Sequence, residues 1–131
     1  NKIIELGKNT FGWKSLKLNF GKKQVTMTVT ETNGKSYELP FGYQQWITTT
    51  FDSYPPYSIT PIDRFKGLEG PYYASGSYAW ISKEELQLKA HYVNWVSALE
   101  ITFHLEENGE VKLNVQTNYI KKPYTIIGKI K

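Results

Sequence analysis

Apolar and polar residues alternate along most of this chain. The alternation is clearest over residues 16–20, 25–29, 86–92, 99–105 and 111–115. A period of two places every second side chain on the same face of an extended chain, and it therefore predicts β-strands with one buried face. No stretch has the period of an amphipathic helix, although residues 82–85 are compatible with a single helical turn. The pattern predicts an all-β fold.

Two Asn-Gly pairs, at 33–34 and 108–109, mark tight hairpins. Two-residue loops at these positions would place apolar residues opposite polar ones. Three-residue loops over 32–34 and 107–109 place apolar residues opposite each other, with each Gly at positive φ in a bulge. The predicted pairs are then Val29 with Tyr37, Met27 with Leu39, Leu105 with Val111, and Phe103 with Leu113.

Residues 51–71 form the longest irregular segment, because four prolines and two glycines interrupt any regular ladder. The segment separates an N-terminal group of strands from a C-terminal meander. We interpret it as a crossover within a single domain spanning residues 1–131, because neither half alone could close a core. The strands, roughly eight or nine, are enough for a closed antiparallel barrel. A two-sheet sandwich is the alternative that periodicity leaves open.

Composition excludes several classes of protein. The chain has 131 residues and no Cys, which excludes disulfides, thiolate zinc sites and a cysteine nucleophile. No run of 18 apolar residues occurs, so no membrane span is expected. The net charge is +4, but Arg64 is the only arginine among 16 basic residues, so we expect no dedicated nucleic-acid recognition. Because the first residue is Asn1, we expect a processed product or a fragment of a longer chain.

No catalytic set is recognisable in the sequence. There is no Ser-x-x-Lys, no Gly-x-Ser-x-Gly and no Gly-rich phosphate loop. Residues 92–94 match an isolated Tyr-x-Asn element, which is better explained as the end of a strand. Glu106, Glu107 and Glu110 surround a tight turn without the spacing of a calcium loop. We therefore predict no catalytic residue and no cofactor.

His91 and His104 are the only histidines, and the alternation places both on the outer face. If Tyr92 pairs with Leu99, His91 lies opposite Glu100 and His104 lies opposite Gln87. Two exposed histidines with different partners do not form a metal site. The sequence therefore predicts no metal ligand.

Aromatic residues are the remaining candidates, since eleven of them lie within residues 46–95. Such side chains can line a barrel mouth or stack on sugar rings, because they combine a flat apolar face with a polar edge. Ordinary core filling is the alternative interpretation. The segment 51–71 is, in the same way, either a contact surface or a lid over one barrel end. The candidate ligand or partner contacts are Trp46, Phe51, Tyr54, Tyr57, Tyr78 and Trp95.

Over nearly its whole length the chain resembles the C-terminal accessory domain of bacterial beta-lactamase-related, penicillin-binding-protein-like serine hydrolases. The segments that carry the resemblance are FGWKSLKLNF, LPFGYQQW, GSYAWISKEELQLKAHYVNW, ALEITFHLEENGEVKLNVQTN and TIIGKIK. Within the third segment, the family pattern of Gly-x-x-x-Trp, acidic turn and apolar strand corresponds to Gly76, Trp80, Glu84-Glu85 and residues 86–88. Family members often have Asp in this turn, where this chain has Lys83-Glu84-Glu85.

The resemblance implies a lipocalin-like antiparallel barrel of about eight strands, attached to an N-terminal serine hydrolase domain in the same chain. The catalytic Ser, Lys and Tyr of the family belong to that other domain, and no position of this sequence inherits them. We therefore expect a non-enzymatic domain that docks on or caps the hydrolase, in an extracytoplasmic location. The alternative function is a module that binds a carbohydrate, the cell wall or a small apolar ligand through aromatic residues.

Overall fold

The computed structural model describes residues 2–51, 72–92, 97–117 and 122–131. These residues form ten strands: β1 (Lys2–Leu6), β2 (Trp13–Phe20), β3 (Gln24–Glu31), β4 (Ser36–Tyr43), β5 (Ile47–Phe51), β6 (Tyr72–Trp80), β7 (Glu85–Tyr92), β8 (Ser97–Leu105), β9 (Glu110–Thr117) and β10 (Tyr124–Ile130). The predicted all-β class is confirmed. Among these described residues there is no helix of a length and apolarity suited to crossing a membrane.

Nine of the strands form a closed barrel. Their order is β4-β3-β2-β1-β10-β9-β8-β7-β6, and a parallel pairing of β4 with β6 closes the ring. The tenth strand, β5, pairs with residues 72–76 of β6, whereas Gly42 and Tyr43 pair with the next two residues of β6. The structure therefore has the predicted barrel and not the sandwich. The one parallel pair departs from the predicted antiparallel meander: β5 runs back along β6, so β4 and β6 point the same way.

The two hairpin registers are confirmed. Val29 pairs with Tyr37 and Leu105 pairs with Val111, as the three-residue loops require. Gly34 has φ of 89° and Gly109 has φ of 80°, a region that residues with a β-carbon rarely adopt. Glycine therefore permits the bulge that keeps both apolar rows facing inward.

The predicted register between β7 and β8 was wrong by two residues. Tyr92 pairs with Ser97 instead of Leu99, so His91 lies opposite Ala98 and His104 lies opposite Glu85. A slip of two residues keeps every side chain on its own face. Apolar residues remain opposite apolar residues in either register, and alternation could not distinguish them.

The interior of the barrel is occupied by side chains from all nine strands. Phe41, Phe103, Leu16 and Met27 are the largest fully buried side chains, and each is at most 1% exposed. Further inward residues complete the same cluster: Ile4, Trp13, Leu18, Val25, Val29, Leu39, Ala74, Tyr78, Leu86, Leu88, Ala90, Leu99, Ile101, Val111, Leu113, Val115 and Ile126. Burial of this apolar surface is the main stabilising contribution to the fold.

The two ends of the barrel differ. We call the end that contains Trp13 the far end. Trp13 is 2% exposed, and its ring stacks on that of Phe11 with the ring centroids 4.8 Å apart. The Asn9 side chain organises the preceding turn: its Oδ1 accepts hydrogen bonds from the backbone N–H groups of Phe11 and Trp13, each at 3.1 Å. Phe51 pairs with Tyr72 at this end, so the strands flanking 52–71 meet here. The opposite end carries the aromatic side chains described next.

Candidate functional site

Four aromatic rings meet at the end of the barrel opposite Trp13. The ring of Phe20 stacks on that of Trp80, with centroids 6.3 Å apart and planes 21° apart. Phe20 also meets Tyr78 edge-on at 6.2 Å, and Tyr78 meets Tyr43 at 5.4 Å. We refer to the exposed residues Phe20, Tyr43, Trp80 and Ile81 as the aromatic patch, with Tyr78 lying beneath them.

The topology explains why this patch forms. Phe20 ends β2 and Trp80 ends β6, and these strands are separated in the ring by β3 and β4. Both residues occupy inward positions of their strands, but they lie beyond the last core layer, so their rings meet across the mouth. Phe20 is 39% exposed and Trp80 44%, whereas Tyr78 below them is 7% exposed. The rings close the barrel and still present apolar surface to solvent.

The turn after β4 fixes the position of Tyr43. Gln44 adopts a positive φ of 52°, and its N–H donates to the carbonyl oxygen of Tyr78 at 2.9 Å. The N–H of Tyr43 donates to the carbonyl oxygen of Lys23, also at 2.9 Å. A side chain at Gly42 would collide with the backbone of Gln45. This turn is therefore possible because position 42 has no β-carbon.

Lysines border the patch. Phe20 is followed by Gly21-Lys22-Lys23, and Trp80-Ile81 is followed by Ser82-Lys83, so each turn joins apolar side chains to an ammonium group. All three lysines are exposed, and Ile81, at 55%, is the most exposed large apolar residue of those measured. An apolar centre with a charged rim is the usual organisation of a protein interface.

Two acidic side chains at this end contact basic residues of neighbouring elements. Glu85 Oε1 is 3.3 Å from His104 Nδ1, and Glu106 Oε1 is 3.5 Å from Lys112 Nζ. These groups are about one-third to one-half exposed, so each pair contributes little to stability. They give the adjacent β7–β8–β9 side a polar character that distinguishes it from the patch.

Burial raises the pKa of the Tyr78 hydroxyl above its ordinary value of 10.0, and the neighbouring Tyr43 hydroxyl contributes in the same direction. Removal of water disfavours the phenolate, and a second phenolate nearby would repel it. Tyr78 is therefore protonated at neutral pH and serves as an apolar support with a hydroxyl donor.

A second aromatic feature lies on the outer wall of the barrel. Trp46, which is 52% exposed, meets the imidazole ring of His91 at 5.2 Å with the planes 61° apart. His91 also lines a shallow concavity of about 280 Å³ together with Lys89 and Glu100. This outer wall carries polar side chains, in contrast to the patch at the barrel mouth.

The structure separates the predicted contact residues. Trp46 lies on the outer wall and Tyr78 lies under the aromatic patch, so they do not share one site. Phe51 is placed by its backbone in β5 near the far end. Tyr54, Tyr57 and Trp95 lie outside the described residues, as do residues 52–71 of the segment 51–71 that the sequence suggested as a contact surface or lid.

The contact residues predicted from sequence did not include Phe20, Tyr43, Trp80 or Ile81, although Trp80 is among the aromatic residues of 46–95 considered for a barrel mouth. Alternation assigns Phe20 and Trp80 to the inner face. Both side chains do point inward, but they are 39% and 44% exposed. The available signal was position: both are the last residue of a strand and precede a Lys-containing turn. A large aromatic residue at a strand end is a candidate for a barrel rim.

The described part of the chain contains no group of three or more His, Asp or Glu side chains able to hold a metal ion. The chemistry available at the aromatic patch is apolar contact, ring stacking and interaction with anionic groups through lysine. Comparison with known protein families yields no matching family model, and comparison with curated proteins yields no significant match.

Proposed function

We propose that this chain is a non-catalytic accessory domain that docks through its aromatic patch on the catalytic domain of a beta-lactamase-related serine hydrolase. The observation that carries the proposal is the exposure of Trp80 and Ile81 beside Phe20 and Tyr43 on a barrel whose interior is already filled. The core does not require this exposed apolar surface, and a partner that covers it would gain the hydrophobic free energy of its burial.

The composition of the patch suits protein docking. Tyr and Trp are enriched among residues that dominate interface energetics, because they bury large areas at a low cost in side-chain entropy. The stack of Phe20 on Trp80 holds both rings before a partner arrives, which reduces the ordering cost of association. Lys22 and Lys83 at the rim favour a partner surface with carboxylates around an apolar centre.

The identity of the partner rests on the family resemblance of the whole chain. A domain of this type follows the catalytic domain in the same polypeptide, so docking takes place at a high effective concentration and requires only modest intrinsic affinity. The same resemblance supports an extracytoplasmic location. The filled interior favours docking over the alternative of a carrier for a small apolar ligand, because Phe41 and Phe103 occupy the space such a ligand would need.

The decisive experiment begins with the coding sequence upstream of residue 1. We expect it to encode a domain with Ser-x-x-Lys and Lys/His-x-Gly elements, and their absence would exclude the proposed partner. The catalytic domain is then titrated with this chain by calorimetry. Trp80→Ser should weaken association by about tenfold or more, the usual effect of removing a central aromatic contact.

Trp46→Ser is the matched control, because Trp46 is as exposed as Trp80 but lies on the outer wall. It should leave association unchanged. The same loss of affinity with both variants, or no loss with either, would refute docking through the aromatic patch.

We also expect the chain alone to hydrolyse neither a chromogenic beta-lactam nor an ester above background. Turnover that is lost on a single Ser→Ala substitution would refute the non-catalytic assignment.

A further inference from the structure

We propose that the outer wall around Trp46 and His91 is a binding site for an uncharged sugar ring, distinct from the docking surface at the barrel mouth. The indole ring of Trp46 is held against the imidazole of His91 at 5.2 Å and leaves 52% of its surface exposed. Lys89 and Glu100 share the adjoining concavity with His91. His91 therefore links an exposed aromatic ring on one side to a concavity with hydrogen-bonding side chains of both polarities on the other.

The strand register explains this arrangement. His91 is opposite Ser75 on β6, and Lys89 is opposite Glu100 on β8. Alternate residues of a strand share a face, so these side chains all project outward while Leu88 and Ala90 project into the core. The hydroxyl oxygens of Thr48 and Ser75 lie 2.7 Å apart on the same wall and extend the polar surface beyond His91.

These groups match the chemistry of a pyranose. One face of such a ring presents polarised C–H bonds, which are attracted to the negative face of an indole, and its rim presents hydroxyls. Lys89 can donate to a hydroxyl, and Glu100 can accept from one. Glu100 Oε1 already accepts a hydrogen bond from Gln87 Nε2 at 2.9 Å, which orients the carboxylate and leaves it further acceptor capacity.

The same groups disfavour other ligand classes. One ammonium beside one carboxylate gives no net positive charge, so a phosphate-bearing ligand would meet Glu100 as well as Lys89. A single exposed indole surrounded by polar groups offers little area to an apolar ligand. The concavity has a volume of about 280 Å³, slightly below that of typical ligand pockets, which suits a single ring of a longer glycan.

The test is titration of the 131-residue chain with three neutral oligosaccharides, namely chitotetraose, cellotetraose and maltotetraose, by calorimetry and by tryptophan fluorescence. At least one should bind with a dissociation constant of about 1 mM or tighter, as expected for a few weak contacts. Trp46→Ala should weaken that binding by about tenfold or more, and Trp46→Phe should retain part of it because a ring remains.

Trp80→Ala is the control, since it removes an indole of similar exposure from the barrel mouth. It should leave sugar binding unchanged. His91→Ala should weaken binding, because the contact that orients Trp46 is lost. The proposal is overturned if none of the three oligosaccharides binds at about 10 mM, or if Trp46→Ala binds as the unsubstituted chain does. It is also overturned if Trp80→Ala loses as much affinity as Trp46→Ala.

Discussion

Gly76 of β6 lies directly against Phe41 of β4. A β-carbon placed at position 76 would stand 2.9 Å from Cδ1 of Phe41, and it would also collide with the carbonyl oxygen of Pro40. Phe41 is 1% exposed and belongs to the core, so it has no space into which to retreat. The approach of β4 to β6, which closes the barrel, therefore depends on the absence of a side chain at position 76.

Gly76→Ala should lower the free energy of unfolding by about 1 to 3 kcal/mol, the usual cost of overpacking a well-filled core. The measurement is urea unfolding followed by circular dichroism. Ser77→Ala, one residue along the same strand, is the control and should change stability by less than about 0.5 kcal/mol. If the two variants have the same midpoint, the parallel closure does not depend on contact at Gly76.

Gly109 has φ of 80°, and nothing lies within 4 Å of the β-carbon that a substitution would add. Substitution there tests mainly the backbone conformation, because the added β-carbon meets no neighbouring atom. Gly109→Val should cost about 1 kcal/mol or more, because a β-branched residue adopts this conformation only with strain. Gly109→Asn should cost less, since Asn tolerates the left-handed region. Equal stability of the two variants in urea would contradict the bulged three-residue loop.

Phe103 and His104 are adjacent in β8 and point to opposite faces. Phe103 is 1% exposed, whereas the His104 side chain is 39% exposed and contacts Glu85. Phe103→Ala should cost about 3 to 5 kcal/mol in unfolding free energy, because it removes a buried ring and leaves a cavity. His104→Ala should cost less than about 1 kcal/mol, since its contact with Glu85 is partly exposed and such contacts contribute little. Similar costs for the two variants would mean that the face assignment of β8 is wrong.

The raised pKa of Tyr78 predicts a change of stability with alkaline pH. A tyrosine whose pKa is higher in the folded state contributes stability that is fully present below the unfolded pKa of about 10 and is lost as pH rises through the folded pKa. The unfolding free energy of the unsubstituted chain should therefore fall more steeply above about pH 10 than that of Tyr78→Phe.

The comparison with Tyr78→Phe is needed because lysines titrate in the same pH range and affect both proteins alike. The measurement is urea unfolding at about pH 9 and about pH 11 for each protein. Parallel pH dependences would show that burial does not raise the pKa of this hydroxyl, and a steeper fall for Tyr78→Phe would reverse the sign of the shift.

Strands β2, β3, β7, β8 and β9 and both hairpin registers could be predicted from sequence because their determinants are local. Val25, Met27 and Val29 alternate with threonines, and the Asn-Gly turn at 33–34 allows one loop length that keeps them facing inward. A strand period of two and the positive φ of a glycine are properties of neighbouring residues. Such properties are readable without knowledge of the rest of the chain.

The pairing of β7 with β8 shows the limit of this reasoning. Registers that differ by two residues leave Leu86, Leu88 and Ala90 on the same face and opposite apolar partners. The alternation of apolar and polar residues therefore fits both registers equally well. The choice between them depends on how β8 also fits against β9 and the core, which involves contacts between distant parts of the sequence.

The candidate sites were decided mainly by tertiary structure. The sequence proposed aromatic residues, including Trp46 and Tyr78, as one set of contacts, but the fold separates these two residues. Phe20 and Trp80 lie sixty positions apart and meet because closure of the ring brings the ends of β2 and β6 to one mouth. Periodicity specifies the direction in which a side chain points. Its exposure depends on whether another strand covers it, and that is determined by the closed barrel as a whole.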